Sequence, residues 1–122
     1  MKYEPTFTEM SEIFAAIANA ETKVEKYVCA EADYNAASHE YTESNYDIQM
    51  GMIMSRNYAA MENARKAMDR QFKKVLVALG ADKDTDYESE SLRNEAGRTY
   101  EPHRFIYSAR YAAVKLAKNM RA

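Results

Sequence analysis

Two histidines and one cysteine are the side chains of this sequence best suited to chemistry, and none has the neighbours that chemistry would need. His39 lies beside Glu40 and Glu43, and His103 follows Glu101 and Pro102. A zinc site would call for a His-Glu-x-x-His run or for Cys and His in pairs at short spacing, and neither occurs. A di-metal carboxylate site in a helical bundle would call for two Glu-x-x-His pairs, and there are none. Cys29 has Lys23 and Lys26 as its only nearby bases, with no base or orienting acid to make it a nucleophile. As the single cysteine it allows no internal disulfide, so a reducing compartment is expected.

Tyr111 and Lys115 share the bare Tyr-x-x-x-Lys spacing of short-chain dehydrogenases. No Gly-rich strand-turn-helix accompanies them, so they read as two residue types on one helix face. No catalytic residue, cofactor or metal is therefore expected. Function must come from a surface, and the surface depends on which elements carry it.

The 122 residues fit one domain, and 47% hydrophobic with 30% charged content fits a folded chain with a packed core. No apolar run approaches the ~18 residues of a membrane span, and MKYEPTFTE has no signal-peptide core. No membrane association and a cytoplasmic location are expected. No proline lies between Pro5 and Pro102, and Gly51 is the only glycine before Gly80, which permits long helices.

The spacing predicts an all-α fold: a long antiparallel hairpin of helices over about 8–41 and 45–79, a short helix over about 87–96, and a C-terminal helix over about 102–120. Met10, Ile17 and Val24 form one seam row of the first helix, and Ile13, Ala20, Tyr27, Tyr34 and Tyr41 the other. Thr6 or Thr8 is its expected cap. Glu31 interrupts the seam, either as a buried partner for a base of the second helix or where the seam opens to water. The break is expected in 39–45, where Thr42 or Ser44 can cap a second helix and Ser44 to Asp47 resembles a capping box; no Gly or Pro marks it, so one continuous helix is the alternative. Met54, Met61, Met68 and Val75 stripe the second helix, joined by Met50, Ile53, Ala64, Phe72 and Leu79, and Gly80 ends it. Thr85 or Asp86 should cap the short helix. Phe105, Ala109, Ala112, Ala113, Leu116 and Met120 are the expected buried face of the last.

Charge is strongly segregated under a formal net charge of −2. Residues 1–49 carry ten acids and three bases, 50–81 two and six, 82–101 seven and three, and 102–122 five bases and no acid. Such blocks can pair with one another within the fold or present one sign to a partner. Glu25, Asp33 and Glu40 would form an acidic face on the first helix. Arg56, Lys66, Arg70, Lys73 and Lys74 lie opposite the methionine stripe as a ridge able to contact phosphates, though without aromatic residues for base stacking. The segment IQMGMIM is apolar all round, with Ile48 and Met52 pointing away from the stripe, so the C-terminal helix or a second chain must cover it.

These features lead to the expectation of a non-catalytic helical interaction module that self-associates. In its concrete form it is a small inhibitor or adaptor whose acidic helix occupies a basic groove of a nucleic-acid-handling protein. The alternative is a nucleic-acid-binding protein using the basic ridge and the basic C-terminal helix.

Overall fold

The structure, a computed structural model, describes residues 3–120. Four helices follow in order: α1 (Phe7–Glu43), α2 (Ile48–Leu79), α3 (Tyr87–Ala96) and α4 (Pro102–Ala117). At 1.5 Å per residue, α1 and α2 are about 55 and 48 Å long, whereas α4 is only about 24 Å. The fold is all-α, as the periodicity predicts, and no strand occurs among the described residues.

Each helix end has a local cause. Thr6 caps α1 through a reciprocal box: its hydroxyl accepts from the Glu9 amide at 3.2 Å, and the Glu9 carboxylate accepts from the Thr6 amide at 3.1 Å. α1 closes in a Schellman arrangement. The Tyr46 amide donates to the Tyr41 carbonyl, and the Asn45 amide to that of Thr42, each at 3.1 Å. Asn45 takes the left-handed φ of 59° that glycine usually supplies, and Tyr46 follows at φ 66°. The chain therefore turns here, and α2 starts three residues later than the expected 45. Its cap is Asp47, whose carboxylate accepts from the Gln49 and Met50 amides, while Ser44 ends α1. Gly80, at φ 75°, closes α2, and Asp86 caps α3 through the Ser89 amide at 2.8 Å.

The core lies at the open end of the hairpin. Met10, Ile13, Ile17, Ala20 and Val24 of α1 meet Met68, Phe72, Val75 and Leu79 of α2, and α4 adds Phe105, Ala109, Ala113 and Leu116. The Phe72 and Phe105 rings pack with centroids 4.2 Å apart. One polar group is built into this core. The buried Gln71 donates from Nε2 to the carbonyl of Ala16 at 3.1 Å, a bond that fixes the register of α2 against α1. Arg93 holds the 80–86 loop by donating to the carbonyls of Ala81 and Asp84, both at 2.6 Å.

Toward the turn the packing thins. Between Tyr27 and Met68 the only buried residue is Ala37. Met50, Met54 and Met61 are half-buried rather than core, and Ile53, expected in the stripe, is exposed. The reason is geometric: two helices alone bury only a narrow mutual seam, and no third helix flanks them at this level. The tyrosines of this half pack by their edges, Tyr34 on Tyr58 and Tyr41 on Tyr46, each pair 5.4 Å apart. Gly51 lies where Tyr41 crosses α2, and a methyl group there would meet the ring at 3.4 Å, an ordinary van der Waals contact. Met120 falls beyond the end of α4 at Ala117 and is exposed, so it does not extend the buried face.

This packing predicts an asymmetry between two substitutions on α2. Met68→Asp places an unpaired carboxylate in the core and should lower Tm by more than about 10 °C, or prevent folding. Lys74→Asp, on the exposed flank, should move Tm by no more than about 2 °C. Equal losses in thermal melts followed by circular dichroism would contradict the facing assigned to α2.

Candidate functional site

Among the described residues, three bases of the C-terminal block are paired within the fold, whereas most charges of the two hairpin blocks are not. On α4, Arg110 pairs with Glu21 of α1, Lys115 with Glu88 of α3 at 3.4 Å, and Arg104 with Glu95 at 3.4 Å and Glu101 at 3.5 Å. The basic C-terminal helix thus pairs with acids of α1 and α3. The hairpin charges behave otherwise. Glu25, Asp33 and Glu40 are exposed, and so are Arg56, Lys66, Arg70, Lys73 and Lys74. None of these eight forms an ion pair among the described residues. Pairing of the acidic helix with the basic ridge is one of the two arrangements the blocks allow, and it does not occur. Both sets stand away from the α1–α2 seam, so each charged row faces outward on its own flank.

Glu25, Asp33 and Glu40 follow intervals of eight and seven residues. At 100° per residue they fall within about 80° of one another and span roughly 22 Å of the helix. The ridge on α2 spans about 27 Å from Arg56 to Lys74. Both rows ride on helices whose register is fixed by the core and by Gln71, so their spacing is set before any partner arrives.

Ile48 and Met52 begin α2 beside the turn and are 80% and 54% exposed. With Tyr41, Tyr46, Gly51 and Met54 they line an apolar groove at the tip of the hairpin. Of the two covers the sequence allows for them, the C-terminal helix does not reach them. α4 starts near Tyr27 and Glu31, beside which Pro102, His103 and Arg104 lie, and runs back toward the open end, where Arg110 meets Glu21. The acidic row continues past its reach, and the apolar groove is wholly beyond it. Tyr46 is a wall of this groove that the periodicity does not reveal, because it lies in the turn.

The groups with chemical potential stay apart. Among the described residues no three His, Cys, Asp or Glu side chains converge on a point where a metal ion could sit. His39 reaches only Glu43, at 4.0 Å on the surface; His103 is exposed at the start of α4, and Cys29 is exposed on α1. Lys115 lies over the Tyr111 ring, 5.9 Å from its centroid, and bonds to Glu88, so the Tyr-x-x-x-Lys pair is a surface contact. No described helix is long and apolar enough to cross a membrane.

Glu31 is half-buried and accepts a hydrogen bond from the Tyr27 hydroxyl at 2.9 Å, with no base of α2 paired to it. The seam opens to water here. Burial raises the Tyr27 phenol above its ordinary 10.0, and the hydrogen bond to Glu31 and that carboxylate's charge raise it further. A raised folded value means that the stabilisation is complete below the unfolded value and is lost as pH climbs through the folded one. Tm should therefore fall as pH is raised above about 10, and Tyr27→Phe should flatten that fall. Parallel alkaline profiles for the two proteins, measured by calorimetry, would contradict this role for Tyr27.

No protein-family model, curated protein or solved structure matches this chain, so its surfaces are read from their own geometry.

Proposed function

We propose that the chain is a non-catalytic helical interaction module that works as a small inhibitor or adaptor. Its acidic α1 face occupies a basic groove of a nucleic-acid-handling protein, and the apolar tip of the hairpin adds contact area beside it. The observation that carries this reading is that Glu25, Asp33 and Glu40 stand exposed and unpaired along a helix of fixed register, although bases are abundant in the same chain. Carboxylates in a row at regular rise complement the bases that line a groove built for phosphates, and such complementarity steers association. The cytoplasm, where the exposed Cys29 stays reduced, is the compartment proposed for this activity.

The same tip supports self-association. Ile48 and Met52 at the mouth of a tyrosine-walled groove form an apolar surface that a second copy would cover. Light scattering after size exclusion at micromolar concentration should give a dimeric mass. Ile48→Glu with Met52→Glu should shift it to the monomer without lowering the helix content. A monomeric mass for the unsubstituted protein in low salt would overturn the dimer and leave the tip to the partner protein.

A second reading is favoured by the exposed ridge of Arg56, Lys66, Arg70, Lys73 and Lys74, none of which forms an ion pair among the described residues. Such a ridge, with the basic α4 helix, could bind nucleic acid, the ridge contacting duplex phosphates with an affinity that falls steeply with salt. One capture experiment separates the two. The immobilised chain should retain a nucleic-acid-handling protein from nuclease-treated extract of its native host, released by duplex DNA. Glu25→Lys, Asp33→Lys and Glu40→Lys together should reduce this capture at least about tenfold. Capture unaffected by the acidic variant, alongside direct binding to a labelled duplex that Lys66→Glu with Arg70→Glu abolishes, would replace the first reading by the second.

A further inference from the structure

α4 carries a second surface that neither hairpin flank includes. Its buried side is filled by Phe105, Ala109, Ala112, Ala113 and Leu116, and on the opposite side Tyr107 and Tyr111 project one turn apart, 75% and 62% exposed. Tyr87, at the start of α3 and 87% exposed, lines the same groove from across the α3–α4 contact. Three phenol rings thus stand in solvent around one shallow groove. Lys115 lines the groove with them, beside Glu88 of α3; Arg110 neighbours Tyr111 on α4 and Lys118 stands just beyond its end, and no acid occurs from Pro102 onward.

We propose that this face binds single-stranded nucleic acid, with bases stacking on Tyr107, Tyr111 and Tyr87 and the backbone phosphates meeting Arg110, Lys115 and Lys118. Aromatic rings give a sequence-tolerant platform because every base has a flat face, and interleaved bases track the phosphates. That combination is what the ridge on α2 lacks. Arg110 and Lys115 are engaged by Glu21 and Glu88, but both ion pairs lie on the surface, with the basic side chains about half exposed. Such pairs are weak and screened, so phosphate oxygens can displace the carboxylates. A duplex hides the base faces that the rings would stack on, which is why a single strand is the fitting occupant. An acidic peptide or the acidic α1 of a second copy would use the cations and leave the rings idle. The inference is independent of the acidic-face reading, because it uses a different helix and a different ligand, and it rests on the part that the second reading gives to α4, narrowing the ligand to a single strand and the contact to the tyrosines.

Fluorescence anisotropy of a labelled oligo-dT of about 20 nucleotides, at about 20 mM salt, tests it. The unsubstituted protein should bind the strand more tightly than a duplex of equal length, with an affinity that declines as salt rises. Tyr107→Ala with Tyr111→Ala should weaken binding at least about 30-fold, and Tyr107→Phe with Tyr111→Phe should stay within about threefold, since stacking needs the ring and not the hydroxyl. All these rings are exposed, so the melting curves of the variants should overlay that of the parent. Absence of binding at low salt, equal binding by the alanine variant, or tighter binding of the duplex would each overturn the proposal. So would loss of strand binding on Lys66→Glu with Arg70→Glu but not on substitution of the tyrosines.

Discussion

A mismatch of helix lengths governs this structure. Two helices of 37 and 32 residues form the hairpin, and the only other helices among the described residues have 10 and 16. A helix buries more than one narrow stripe only where it is flanked on more than one side, so a full core can form only alongside α3 and α4. There the side chains of three layers close around Phe72 and Phe105. Beyond Glu31 the hairpin continues as a bare pair of helices whose methionines and tyrosines are half in water. The open apolar tip, the outer part of the acidic row at Asp33 and Glu40, and the seam that opens to water at Glu31 are consequences of that one inequality.

The bare half is nevertheless given a defined shape. Asn45 and Tyr46 both sit at positive φ, which for a tyrosine costs about 1–2 kcal/mol. The Schellman bonds to Thr42 and Tyr41 and the edge-on contact between the Tyr46 and Tyr41 rings oppose this strain. Tyr41 in turn closes on Gly51, tying the turn to the first turns of α2. The result is a protruding arm with fixed charge spacing and little stability of its own. An arm of this kind suits binding, because the surface that recognises a partner need not also hold the fold together.

Much of this was legible in the amino-acid pattern. The heptad rows of α1 and the stripe ending at Leu79 needed only helical spacing, Gly80 announced its cap by residue type, and residue type narrowed the cap of α3 to Thr85 or Asp86, of which Asp86 takes the role. The start of α2 was harder to read. Ser44, with Asp47 three residues on, resembles a capping box, whereas Asp47 is itself the cap, and the left-handed position is filled by Asn45, whose preference for that conformation is much weaker than that of glycine. Burial within a stripe could not be read either. Met54 and Met68 are equivalent by spacing, yet Met68 is fully buried and Met54 is not, because the difference lies in where along the hairpin α4 begins. Gln71 gave no sign of its role, since a polar residue beside an apolar stripe is ordinarily solvated. Tyr107 and Tyr111 could have been noticed as a pair one turn apart opposite Phe105 and Ala109, but their significance depends on Tyr87, which only the fold brings near.

The division between a packed open end and an uncovered arm is most directly tested by amide hydrogen exchange on the isolated chain at low concentration. Helical amides within 10–24 and 68–79 should open only with global unfolding, whereas those within 31–64 should exchange through local opening at least about tenfold faster. Uniform protection along the whole hairpin would contradict the account, since it would mean that the arm is as firmly held as the core.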